Sequence, residues 1–126
     1  MIHVTDIRIG NHVMMKNASN EFEEVVIMPM HIPMMHLKPD HFYPIELTKD
    51  VLERIGMEVA FEASYYTIYA LTTKDYYIRH LVPARKKATT FSINGVDAHH
   101  IKYLHQVQNI IHIHTGKELI IKTKNQ

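Results

Sequence analysis

Four of the five prolines stand close together, as Pro29, Pro33, Pro39 and Pro44. Each fixes φ near about −65° and removes a backbone donor, so a run at this density suits neither a helix nor a central strand. The stretch from Met28 to Pro44 is therefore expected to be an extended, irregular connection. It carries His31, Met34, Met35, His36 and His41 between the prolines. So many methionines are poorly placed in water, and they are expected to pack over a core or into a partner.

Before this connection, Ile7-Arg8-Ile9, a Gly10-Asn11 turn and His12 to Met15 read as a hairpin, because β-branched residues flank a dipeptide that tolerates positive φ. Asn17 to Asn20 makes a polar turn, and Phe22 to Met30 is the next strand candidate. After it, Thr48 suits an N-cap, Leu47 and Leu52 a hydrophobic staple, and Gly56 the C′ position of a two-turn helix. Strands are expected at Tyr65 to Thr72, Tyr76 to Val82 and Ala88 to Ile93, short joins favouring an antiparallel meander. Asp97 is read as the N-cap of a long helix ending at Thr115, with Ile101, Leu104, Val107, Ile110 and Ile111 on its buried face. Leu119 to Ile121 is expected to be a last strand, before a polar tail.

The pattern predicts an α+β protein: a small antiparallel, partly barrel-like sheet plus a β-meander, packed by one short and one long amphipathic helix. Its 126 residues fit one domain. Within it, 1–46 would be a β-rich N-terminal part carrying the 28–44 loop, 47–122 an α-β-β-β-α-β part, and 123–126 a tail.

Composition excludes several chemistries. With no cysteine there is no disulfide, thiolate nucleophile or Cys-ligated metal. Gly10, Gly56, Gly95 and Gly116 are too far apart for a dinucleotide fingerprint or a P-loop, and none of Ser19, Ser64 and Ser92 sits in a Gly-x-Ser-x-Gly elbow. No apolar run reaches the roughly 18 residues of a membrane span, and no signal core opens the chain, so a cytoplasmic location and no membrane partner are expected. The net charge of +1 hides an asymmetry: residues 1–63 hold five Lys/Arg against ten Asp/Glu, and residues 64–126 nine against three. The basic half either meets an anionic partner or matches opposite charges elsewhere in the assembly.

Eleven histidines raise the question of metal binding. In the long helix His99, His100, His105, His112 and His114 form no i, i+3 or i, i+4 pair. His105 and His112 share a face but lie about 10 Å apart along the axis, too far for one ion. No metal site and no cofactor are expected. A basic, aromatic surface is the better candidate: Lys74, Tyr76, Tyr77, Arg79, His80, Arg85, Lys86 and Lys87. Cations neutralise phosphates while tyrosines on a sheet stack bases, the combination used by single-strand binders. A second candidate surface is for a partner protein or a second copy: Met34 and Met35 from the methionine-rich third, with His105, Gln106 and Asn109 from the helix.

Three groups of residues also resemble a known family. They are Ile7-Arg8-Ile9-Gly10-Asn11-His12-Val13, the lead-in Tyr43-Pro44-Ile45-Glu46-Leu47-Thr48, and the closing Tyr103-Leu104-His105-Gln106-Val107-Gln108-Asn109 with Thr115-Gly116-Lys117-Glu118-Leu119. In this order they are similar to a family of small uncharacterised proteins encoded by bacteriophage, prophage and mobile elements. The resemblance implies a genomic setting, with the host cytoplasm as the site of action, and no catalytic residue. The function expected is non-enzymatic binding of a host protein, a nucleic acid or a small anionic ligand. One alternative is an anti-defence protein that inhibits a host immune factor or sequesters a signalling nucleotide. Another, a metal-dependent hydrolase, lacks any His-carboxylate motif.

Overall fold

The computed structural model describes residues 2, 4–85, 89–98 and 100–122. Among them are three α-helices and eight strands in two antiparallel sheets, a mixed α+β fold. Neither sheet closes into a barrel, which corrects the partly barrel-like expectation: three and five short strands leave two edges on each sheet. No described helix is long and apolar enough to cross a membrane. The chain divides into two compact units, Met1–Glu46 with Tyr103–Ile110, and Leu47–Lys102 with Ile111–Gln126.

In the first unit, β1 (His12–Lys16) is central, flanked by β2 (Phe22–Val26) and β3 (Phe42–Tyr43). Val13 and Met15 pair with Val25 and Phe42, so one face carries the apolar side chains that join Ile2, Ile27 and Met35 in the core. The segment Ile7–Ile9 is not a strand. Its backbone instead closes a turn, Asn11 N donating to Arg8 O at 3.0 Å, with Gly10 at φ 99°.

The proline-rich stretch is also more ordered than its composition suggests. It forms α1 (His31–Leu37), a 3₁₀ turn over Pro39–His41, and β3. Pro33 is accommodated because it is the third residue of α1, where a backbone N–H has no partner within the helix anyway. His31 helps to start this helix, its Nδ1 accepting from Met28 N at 2.9 Å.

In the second unit α2 (Lys49–Arg54) follows the local signals closely. Thr48 Oγ1 accepts from Val51 N at 3.3 Å. At the other end Gly56 N donates to Glu53 O and Met57 N to Leu52 O, both at 3.0 Å, with Gly56 at φ 93°. That pair of bonds is a Schellman ending, which requires the left-handed residue glycine supplies most readily.

The second sheet is a meander of β4 (Glu58–Glu62), β5 (Tyr66–Thr72), β6 (Tyr77–Pro83), β7 (Thr90–Ile93) and β8 (Val96–Asp97). The sequence reading missed both edges. At β8 Asp97 is not the expected N-cap: Asn94 (φ 51°) and Gly95 (φ 83°) form a tight hairpin turn that commits Asp97 to pairing with Ser92. The last helix, α3 (Leu104–Thr115), therefore begins later than expected, and the 98–103 segment before it is irregular where described. Leu119 to Ile121 is not a strand. It is anchored through a side chain, Arg54 Nε donating to Lys122 O at 2.8 Å while Lys122 N donates to Arg54 O at 2.9 Å. The expected tail, 123–126, lies outside the described residues.

Candidate functional site

Strand register sorts the side chains of the second sheet onto two faces, because directly opposed residues point the same way. The rows Tyr69–His80–Phe91 and Leu71–Ile78–Ile93 share one face. Tyr69, His80, Phe91, Ile78 and Ile93 are all buried there. The alternating rows, Tyr66–Pro83, Ile68–Leu81–Thr90 and Ala70–Arg79–Ser92–Asp97, define the other face. Its side chains are half-buried or exposed.

One end of that outer face is aromatic. Phe61, opposite Ile68, has its ring 5.6 Å from that of Tyr66 at 32°, and the rings of Tyr65 and Tyr66 are 4.8 Å apart. Tyr65 is 68% and Phe61 52% exposed, so these rings form a platform open to solvent. Beside them Tyr65, Tyr66, Leu81, Pro83 and Arg85 line a cleft of about 360 Å³. That volume lies within the range of about 300–1,000 Å³ typical of small-ligand sites. Ala84 N donates to Tyr65 O at 2.9 Å, holding the start of β5 against the chain that leads to Arg85. A shallower hollow of about 150 Å³ continues along the same face past Leu81, with Arg79, Thr90, Ser92 and Asp97 at its edge. The arrangement offers flat aromatic area for stacking and two guanidinium groups, Arg79 and Arg85, for an anion.

The basic, aromatic residues singled out in sequence are distributed unequally around this site. Tyr77 and Arg79 lie on the outer face, and Arg85 lines the cleft. Lys74 and Tyr76 lie in the β5–β6 turn, at the far end of a seven-residue strand spanning about 20 Å. There Asp75 is ion-paired with Lys117 at 2.8 Å, and that hydrogen bond holds its carboxyl below the usual carboxylate range. Tyr76 is half-buried, and desolvation pushes its phenol pKa up. His80 points to the buried face, where its Nδ1 has no hydrogen-bond partner and burial pushes its pKa down; it is not part of a basic surface. Lys86 and Lys87 lie outside the described residues. The sequence reading overlooked Phe61, Tyr65 and Tyr66. The signal was the Tyr65-Tyr66 pair at a strand start, whose neighbouring strand leads straight into the basic loop.

In the first unit, the helical residues proposed for partner contact are largely engaged internally. Gln106 Oε1 accepts from Tyr103 N at 3.0 Å, reaching back over the first turn of α3 as a capping residue does. Asn109 Oδ1 accepts from Asn11 Nδ2 at 2.8 Å and Arg8 Nε at 3.2 Å, while its Nδ2 donates to Asp6 O at 3.1 Å. Its neighbour Gln108 accepts from His12 N at 2.8 Å and donates to Gly10 O at 3.0 Å. Asn11 Oδ1 closes the network by accepting from Arg8 N at 2.7 Å. His105 is buried, its ring stacked 6.0 Å from Tyr103 and its Nδ1 without a partner. Met35 belongs to the core, whereas Met34 is exposed. Among the described residues no three His, Asp or Glu side chains converge as a metal site.

No protein-family model, curated protein or solved structure matches this chain.

Proposed function

We propose that the chain is a non-enzymatic binding protein whose outer sheet face takes a flat, anionic ligand, and that this ligand is single-stranded nucleic acid. The observation that carries the reading is the open Phe61–Tyr66–Tyr65 platform beside a cleft lined by Arg85, with Arg79 on the same face. Every base has a π-face, so stacking on such a platform is tolerant of sequence. The guanidinium groups supply the phosphate contacts. The resemblance to small phage and mobile-element proteins supplies a setting in which such a module would act in the host cytoplasm.

Fluorescence anisotropy with a labelled oligothymidylate tests this reading. Binding at low salt should weaken as salt rises, with log K falling by about 0.7 per phosphate contacted for each tenfold increase in salt. Tyr66→Ala should weaken it further. Absence of binding at low salt, or an unchanged affinity for Tyr66→Ala, would remove the reading.

A further inference from the structure

A second surface, in the first unit, has the opposite charge logic to its surroundings. That unit is acidic by sequence: Asp6, Glu21, Glu23, Glu24, Asp40 and Glu46 against Arg8, Lys16 and Lys38. Both lysines nevertheless line one cleft of about 210 Å³, together with His41. The rest of its lining is apolar, Met15, Met34, Leu37 and Phe42, and no carboxylate lines it. Arg8, the remaining cation, is held in the amide network with Asn109. Both lysines of the unit are thus gathered around apolar side chains in a cleft whose own lining holds no carboxylate, although Glu23 lies across from Met15 and Asp40 sits in the turn between Lys38 and His41.

The neighbouring helix strengthens the point. α1 turns His31 and Met35 inward, and Met30, Met34 and Leu37, spaced by four and three residues, are left on the other side. Their exposures are 65%, 44% and 82%. Large apolar side chains gain by leaving water, so a seven-residue helix that leaves Met34, Leu37 and its N-cap residue Met30 in water is poised to gain by being covered. The cleft is smaller than the roughly 300 Å³ lower bound for a small-ligand pocket. It suits a single anchor side chain delivered by a larger partner, in the manner of an interface hot spot.

We propose that the ridge of α1 and the Lys16–Lys38 cleft form a docking surface for an acidic peptide segment of another protein. One apolar residue of that segment enters the cleft, a second at helical spacing lies against Met34 and Leu37, and flanking Asp or Glu side chains meet the lysines. Charge complementarity selects this occupant. A basic or neutral segment would leave the lysines uncompensated, and a second copy of this acidic unit would have to bring its own lysines to the same place.

The test is selection of binders from a random-sequence peptide library displayed against the full-length protein, with Lys16→Glu/Lys38→Glu and Leu37→Asp as counter-targets. Both sets of positions are on the surface, and an unchanged unfolding midpoint checks that the variants fold. The proposal expects enrichment of Leu, Met or Phe at i and i+3 or i+4 with Asp and Glu around them. Synthetic copies should lose at least tenfold in affinity for each variant and weaken as salt rises. A pool without acidic enrichment, no selected binder, or affinity unchanged in the double-charge variant would overturn it. So would sedimentation showing a dimer that Leu37→Asp dissolves, since the occupant would then be a second copy.

Discussion

The amide network of the first unit and the outer sheet face of the second are both built from residues that look functional in sequence, yet they use their polar groups in opposite ways. Around Asn11 and Gln108, both essentially inaccessible, each amide that the network contains is matched by another group of the same unit. Buried polar groups are stable only when matched in this way, so their geometry leaves little for a ligand. Around Tyr65, Tyr66 and Arg79 the rings and guanidinium groups face water. The contrast separates residues that specify a fold from residues available to bind. Arg8, Gly10, Asn11, Gln108 and Asn109 belong to the first kind: they join the N-terminal turn to α3.

Substitutions should divide along the same line. The largest effect is expected for Gln108→Leu, which leaves His12 N and Gly10 O without their side-chain partner. At about 1–3 kcal/mol for each of these two orphaned groups, urea denaturation should show a loss of roughly 2–6 kcal/mol. Oligonucleotide affinity of the folded fraction should be unchanged. Next comes Tyr66→Ala, with a loss of about 1–3 kcal/mol in single-strand binding and a much smaller change in unfolding midpoint.

A third expectation concerns acid. Burial pushes the pKa of His80 and of His105 below the ordinary 6.5, against smaller opposing effects of the Thr90 backbone on His80 and of Asp6 on His105. The unfolded chain then binds these protons at a higher pH than the folded one. The stability is therefore present above about pH 6.5 and is lost as pH falls below it. His80→Leu should flatten urea-derived stability between pH 6.5 and 5 by up to about 1.4 kcal/mol per pH unit. An unaltered slope would show that His80 is not the buried base described. The smallest effect is expected for Lys117→Ala. Its partner Asp75 is solvated at the surface, and thermal unfolding should be indistinguishable from that of the parent chain.

What the sequence disclosed follows the range of the interactions concerned. α2 was legible end to end because its cap, staple and Schellman glycine lie within ten consecutive residues. The α+β class and the central strands were legible for the same reason. α1 was not, because proline density argues against a helix except where, as with Pro33, the proline falls in a first turn. β4 was missed because all five of its residues are exposed and its register slips between Val59 and Phe61, so no clean alternation marks it. The candidate site was half-visible. Arg79 and Arg85 stood out by charge, but only the pairing of β4, β5 and β6 brings Phe61, Tyr66 and Leu81 to one face. The roles of Gln108 and Asn109 depend on partners about a hundred residues away and had no local signal at all.

The most direct test of the account is a paired anisotropy titration of oligothymidylate at low salt, parent chain against Tyr66→Ala. The account predicts binding by the parent and a Kd raised about 5- to 150-fold in the variant, the equivalent of about 1–3 kcal/mol, with both proteins equally folded. Equal Kd values, or no binding by the parent, would contradict it.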